Sequence, residues 1–392
     1  MPTPMGHQRK LPNKSRTLML NLDKSISIDE QYSVNPLFSK SICPKNGKSI
    51  AVVTPSLRVK DAVSRYAIGL CNFFLNHYEF VYLVSNSSTL PNVNVNSYES
   101  LSNNLDSNLD LFIHYSIYDP NLESIIEKHS GKSQLYYHGI TPPEHLEQLD
   151  PITSKNCALG LDQLARLTSF SSYSSNSLFN AKQIEEKTRG KIKASEIKIS
   201  PPLVTIPFSP QFKHQIPHKN QLKFISIGRI IPHKNFEATL EALSQLNMEL
   251  DYTYDIIGSS AHGNYLTQLN NLIKEWNLDS KVNIHIGLPF EELQKRLKES
   301  DIYLSTSHHE GFGIPIIEAA LLGVVPIVFN KGAMPETLID KDLIVMDNSV
   351  NTLIQKIIEV TSNLTQKSVK IQDFVATEYS DEILLNHLVK NF

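Results

Sequence analysis

At 392 residues the chain is too long for one ordinary domain, and two is the natural expectation. A hydrophobic share of 41% and a charged share of 20% suit a globular protein with a sizeable core. The formal charge is only −3, and no basic stripe is interleaved with aromatics, so nucleic acid is not an expected partner.

Cys43, Cys71 and Cys157 lie far apart, without ligand spacing, which fits a reducing compartment better than a disulfide framework. No apolar run approaches the ~20 residues needed to span a bilayer. Arg9, Lys10, Lys14 and Arg16 precede only a very short apolar patch, Leu18 to Leu20. The reading is a cytoplasmic chain with a solvated basic start, the alternative being loose, peripheral contact with the inner face of a membrane.

Residues 1–46 lack sustained periodicity and read as an N-terminal extension. Ser49 to Thr54 then reads as a buried strand, and Ala62 to Leu75 as a helix. Glu79 to Ser85, Asp110 to Tyr115 and Gln134 to His138 are further strands, with helical stretches between several of them. Ser200 to Pro210 is dense in proline and reads as a linker. Beyond it, strands are expected at 223–227, 254–257, 282–285, 302–305, 326–329 and 343–346. Helices are expected at 235–247, 264–276, 290–299, 315–322 and 351–363. Short buried strands alternating with helices predict an α/β fold of two doubly wound, Rossmann-like domains facing across a cleft. Their expected bounds are 47–208 and 209–368, followed by a helical segment at 369–392.

The most informative stretch runs from Ser305 to Pro326. A strand ends near Ser305, and a loop carries Glu310, Gly311, Phe312 and Gly313 into a helix whose first turn holds Ile314 and Pro315. Gly323 suits its C-terminal cap. Glycines beside a helix N-terminus make an anion site, because backbone N–H groups can approach a ligand closely. Glu310 and Glu318 flank that site, which suits a ligand carrying both phosphates and hydroxyl pairs. Either acid alone reads equally well as a favourable charge near a helix start. Arg229 and Lys234 follow another strand end, where two cations could neutralise a diphosphate; singly, each reads as a solvated loop cation. His138 ends a strand before Gly139, and a lone histidine there is more often structural. His308 and His309 lack ligand partners at useful spacing, so no metal is implied.

Glu310-Gly311-Phe312-Gly313-Ile314-Pro315-Ile316-Ile317-Glu318 resembles the paired-glutamate signature of the retaining glycosyltransferases with the GT-B fold, of the bacterial group 1 or family 4 type. Gly332-Ala333-Met334-Pro335-Glu336 and His285-Ile286-Gly287 resemble neighbouring turns of that family. Tyr137 to Pro142 and Asp61 to Ser64 resemble a subset linked with bacterial surface polysaccharides. The resemblance covers roughly residues 48 to 390, and departs from the family where Pro55 to Asp61 lacks a glycine pair and where Ser259 follows Gly258.

The resemblance implies retaining transfer of a hexosyl unit from a nucleotide-sugar donor to a glycan or lipid-linked acceptor, with no cofactor. It assigns Arg229 and Lys234 to the diphosphate, and Glu310 with the backbone of Gly311, Phe312, Gly313 and Ile314 to donor sugar and phosphate. Glu318 would hold the ribose, and His138 would sit under the donor sugar. Asp61 and Ser64 would stand on the acceptor side, and the C-terminal helix would cross back to the first domain. A sugar phosphorylase and a catalytically silent nucleotide-sugar-binding subunit share these features. A nicotinamide-dependent dehydrogenase is disfavoured, since no G-x-G-x-x-G follows the first strand.

Overall fold

The computed structural model describes residues 47–58, 61–91, 93–202, 221–246, 251–338, 340–379 and Leu384. The expected N-terminal extension and most of the proline-rich linker lie outside the described residues.

The first domain runs β1 (Ser49–Thr54), α1 (Ala62–Phe74), β2 (Phe80–Ser85), α2 (Tyr98–Ser102), β3 (Leu109–Tyr115), α3 (Leu122–Lys128) and β4 (Ser133–Tyr137). It continues through α4 (Pro151–Leu164), β5 (Ser172–Ser175), α5 (Leu178–Lys187) and β6 (Lys198–Ile199). All pairings are parallel, in the order β2-β1-β3-β4-β5-β6. β1 and β3 are buried along their whole length, which is why they carry apolar runs, Ile50 to Val53 and Leu111 to Ile113, rather than an alternating pattern. Asp110 inside β3 is tolerated because the Tyr78 hydroxyl donates to it at 2.8 Å.

Strands β5 and β6 escape the periodicity reading. β5 is Ser-Tyr-Ser-Ser, and its hydroxyls are buried only because partners satisfy them. Ser174 Oγ accepts from Gln134 Nε2 at 2.8 Å, and Ser175 Oγ donates to the Ser177 carbonyl at 2.8 Å. Hydrogen bonding rather than apolar area admits this strand to the core.

The second domain runs β7 (Gln221–Ile227), α6 (Phe236–Ser244), β8 (Asp251–Gly258), α7 (Gly263–Glu275), β9 (Val282–Ile286), α8 (Phe290–Glu299) and β10 (Ile302–Ser305). It ends with α9 (Ile314–Leu321), β11 (Val325–Phe329), β12 (Ile344–Val345), α10 (Val350–Ser362) and α11 (Leu364–Glu378). Its sheet is also parallel, ordered β12-β11-β10-β7-β8-β9. The chain reverses direction across the sheet between β7 and β10, so the loops leaving those two strands flank the crevice where such sheets bind ligands.

Helix α11 begins five residues earlier than the expected C-terminal segment and packs on the second domain. Ser368 Oγ donates to the Gly323 carbonyl at 2.5 Å, and Gln372 Nε2 to that of Leu321 at 2.8 Å. Any crossing to the first domain falls on residues 380–392, which apart from Leu384 lie outside the described ones. Among the described residues, no helix is long and apolar enough to cross a membrane.

Candidate active site

Two loops meet at the switch point of the second sheet. One leaves β7 through Gly228 and Arg229, makes a 3-10 turn at Pro232–Lys234, and places Asn235 in the left-handed region at φ 52°. The other leaves β10 and reaches Gly313, whose φ of 95° admits glycine and opens α9. Hydrogen bonds stitch them together. The His308 N–H donates to the His233 carbonyl at 2.8 Å, Asn235 Nδ2 to the Thr306 carbonyl at 3.1 Å, and Thr306 Oγ1 to the Asn235 carbonyl at 2.6 Å.

That stitching brings Lys234 Nζ to 2.5 Å from Glu310 Oε1, which also accepts from Ser307 Oγ at 3.0 Å. The two charged side chains are only 15% and 20% exposed, so their attraction is little screened. Glu310 is held from behind by the Gly332 turn. A Cβ at Gly332 would lie 2.5 Å from the Glu310 carbonyl oxygen, which accepts from the Ala333 N–H at 2.9 Å.

The first domain holds the same loop from the other side. The Gly311 carbonyl accepts from Asn180 Nδ2 at 2.9 Å and Ser177 Oγ at 3.1 Å. The Glu336 carboxylate accepts from the Leu178 and Phe179 N–H groups at 2.6 and 2.7 Å, capping α5 across the domain boundary. A methyl group at position 311 would lie 2.7 Å from the backbone carbonyl of His138. Backbone cannot rotate away, so Gly311→Ala is expected to cost about 1–3 kcal/mol and to lower turnover with it. A melting midpoint and turnover equal to those of the parent chain would contradict this contact.

Beside these loops lies a cavity of about 260 Å³. Leu288, Phe290 and Leu293 make an apolar wall, Arg229 and Glu318 supply charge, and Arg65 of α1 faces in from the first domain. An apolar slot with charged groups at its edge suits a flat aromatic ring carrying a polar, anionic extension. Glu318 lies in this cavity and Glu310 in the Lys234 pair, so the two acids occupy different parts of the cleft. Phe312 is 6% exposed, and its ring packs against Tyr379 at 6.1 Å rather than lining the cavity. Asp61 and Ser64 are occupied in capping α1: the carboxylate accepts from the Ser64 N–H at 2.8 Å, and Ser64 is fully buried.

His138 follows β4; its N–H donates to the Tyr115 carbonyl at 3.0 Å, and its carbonyl accepts from Asn176 Nδ2 at 3.0 Å. Burial holds its pKa at about 3, and that of His114 beneath it well below the usual value. Burial, with the Lys234 and Arg229 charges, holds His233 at about 3, and burial holds His309 at about 4. The unfolded chain takes up these protons near pH 6.5 and the folded chain only far lower. Stability is therefore complete above pH 6.5 and falls as pH drops toward 4, with a slope approaching about 1.4 kcal/mol per pH unit for each histidine. Urea unfolding from about pH 7 to about pH 5 should record that fall, and a flat profile would contradict it.

Ser307, Ser177, Asn180, His114 and Arg65 are site residues that the sequence reading misses. Only His114 carries a signal, as a polar residue following the apolar run Leu111 to Ile113 of a strand.

Two parallel α/β sheets with their ligand loops turned into one cleft are the architecture of the GT-B glycosyltransferases, and solved structures agree. A Rickettsia africae glycosyltransferase matches with a TM-score of 0.64 at 20% identity, covering 88% of this chain and 97% of that one. Anabaena HepE in complex with UDP matches with a TM-score of 0.65 at 15% identity, covering 87% and 98%. At such identities the likeness is one of fold. Residues 209–372 match the family model of the glycosyl transferases group 1. Among curated relatives, the O-antigen chain mannosyltransferase B of Escherichia coli is 28% identical over 158 residues, 39% of this chain and 42% of the relative. A GDP-Man:Man(3)GlcNAc(2)-PP-Dol alpha-1,2-mannosyltransferase of Dictyostelium discoideum is 28% identical over 126 residues, 29% of this chain and 25% of the relative. The chain thus spans less than half the length of these curated relatives.

Proposed function

We propose that this chain is a retaining, metal-independent hexosyltransferase that moves a sugar from a nucleoside-diphosphate donor to a glycan or lipid-linked hydroxyl. The observation that carries the reading is the apolar cavity with Arg229 and Glu318, set beside the Lys234–Glu310 pair and the N-terminus of α9. The base would lie against Leu288 and Phe290, the ribose on Glu318, and the diphosphate between Arg229, Lys234 and the N–H groups of Gly311 to Ile314. Glu310 and His138 would hold the transferred sugar. The acceptor oxygen bonds to the anomeric carbon as the bond to the diphosphate oxygen breaks, on the same face. The acceptor proton passes to the departing phosphate, whose growing charge the cations and helix N-terminus stabilise.

Relatives named as mannosyltransferases support GDP-mannose as the first donor to try, and HepE structures with UDP-glucose support that sugar as the second. Their O-antigen and dolichol-linked settings support synthesis of surface polysaccharide or glycoconjugate, at or near a membrane face. The test is nucleoside diphosphate release and transfer from a panel of nucleotide sugars, with the product's anomeric configuration read by NMR. Expected is retained configuration; an inverted product would overturn retention. No release from any donor, with or without acceptor, would overturn the reading.

A further inference from the structure

The ring of His114, the sixth residue of β3, is 1% exposed and lies beneath that of His138. Their centroids are 5.1 Å apart, and His114 Nδ1 is 2.8 Å from His138 Nε2. Two neutral imidazoles at that distance share one proton, one nitrogen donating and the other accepting. The far side of His114 decides which. Its Nε2 is buried with no hydrogen-bond partner. If His138 donated, His114 would carry its own proton on that orphan nitrogen. A buried N–H without an acceptor is the rarer and costlier orphan. If His114 donates from Nδ1, only a lone pair is orphaned.

His138 must then carry its proton on Nδ1. That nitrogen is not among the buried unpartnered atoms and has no hydrogen bond among the described residues, so it is the ring nitrogen that solvent or a ligand can reach. Tyr66 and Phe112 pack on His114 at 5.3 and 5.2 Å, and Tyr136 on His138 at 4.7 Å, keeping water from the pair. We propose that His114 is a positioning residue that fixes His138 as a neutral Nδ1–H donor aimed into the cleft. Its consequence for turnover rests on the glycosyl-transfer reading above, in which that N–H meets a hydroxyl of the transferred sugar.

Two measurements test this. Long-range ¹H–¹⁵N spectra of the histidine-labelled full chain, without ligand at neutral pH, should show both His114 and His138 protonated on Nδ1. His138 protonated on Nε2, or on both nitrogens, overturns the proposal. Separately, His114→Phe keeps the ring volume but removes the donor, whereas an asparagine amide N–H can stand in for Nδ1. His114→Phe is expected to lower kcat about tenfold with the donor KM within about twofold, and His114→Asn to stay within about threefold of the parent. Equal losses in the two variants, with equal melting midpoints, would reduce His114 to packing and overturn the proposal. If the parent chain transfers no sugar at all, the functional reading fails while the spectra still decide the histidine pair.

Discussion

Arg229→Ala is expected to lower turnover by on the order of 10²–10³, the loss seen when one preorganised donor to a developing anion is removed. The side chain lines the cavity that also holds Gly228 and Glu318, at the carboxyl end of β7. A departing nucleoside diphosphate gains charge as the sugar bond breaks, so a cation here stabilises the transition state more than the bound donor. The loss should therefore fall on kcat and kcat/KM together, with a smaller effect on donor KM. Arg229→Lys should recover only part of it, since an ammonium cannot grip two phosphate oxygens in one plane. Steady-state kinetics decide the matter, and an unchanged kcat removes Arg229 from the leaving-group site.

What the sequence discloses about this site follows from how local each cause is. The run from Ser305 to Pro326 is legible because its features act on their own neighbours. Gly313 supplies a positive φ, Pro315 accepts a missing donor in the first turn, and Gly323, at φ 76°, ends the helix. β1 and β10 are legible to the residue because burial on both faces demands an unbroken apolar run. The pairing of Lys234 with Glu310 is different in kind. Alone, Lys234 reads as a solvated loop cation and Glu310 equally well as a charge near a helix start, and only the stitching of the β7 and β10 loops puts one against the other. Glu336 shows the same limit. Its motif is visible in sequence, yet its carboxylate caps a helix of the other domain, a contact between residues 158 positions apart. His114 acts through a strand pairing that sets His114 opposite Tyr136 and so places His138 just beyond.

Lys234→Met is expected to be the most damaging single change, because it removes the cation that the proposed function assigns to the phosphates and strands a carboxylate at once. Among the described residues, Glu310 Oε1 would retain only the Ser307 hydroxyl, in a position 20% exposed. Leaving a carboxylate so placed without its cation should cost about 1–3 kcal/mol of folding stability, below the 3–5 of a fully buried pair because some solvent reaches it. Glu310→Gln keeps the volume and removes the charge, so Lys234 is left a more available cation. Donor binding should then hold or tighten while turnover falls on the order of 10², the mark of an acid that acts on the sugar rather than the phosphate. The double variant separates the two roles of the pair. With neither charge present, stability should recover by about 1–2 kcal/mol relative to Lys234→Met, the coupling expected of residues in contact. Turnover should not recover, because the phosphate cation and the sugar-binding acid are both gone. Urea denaturation and donor kinetics on the three variants give the two cycles. Additive stability changes would show that Lys234 and Glu310 do not pair in solution, and recovery of turnover in the double variant would show that neither touches the donor.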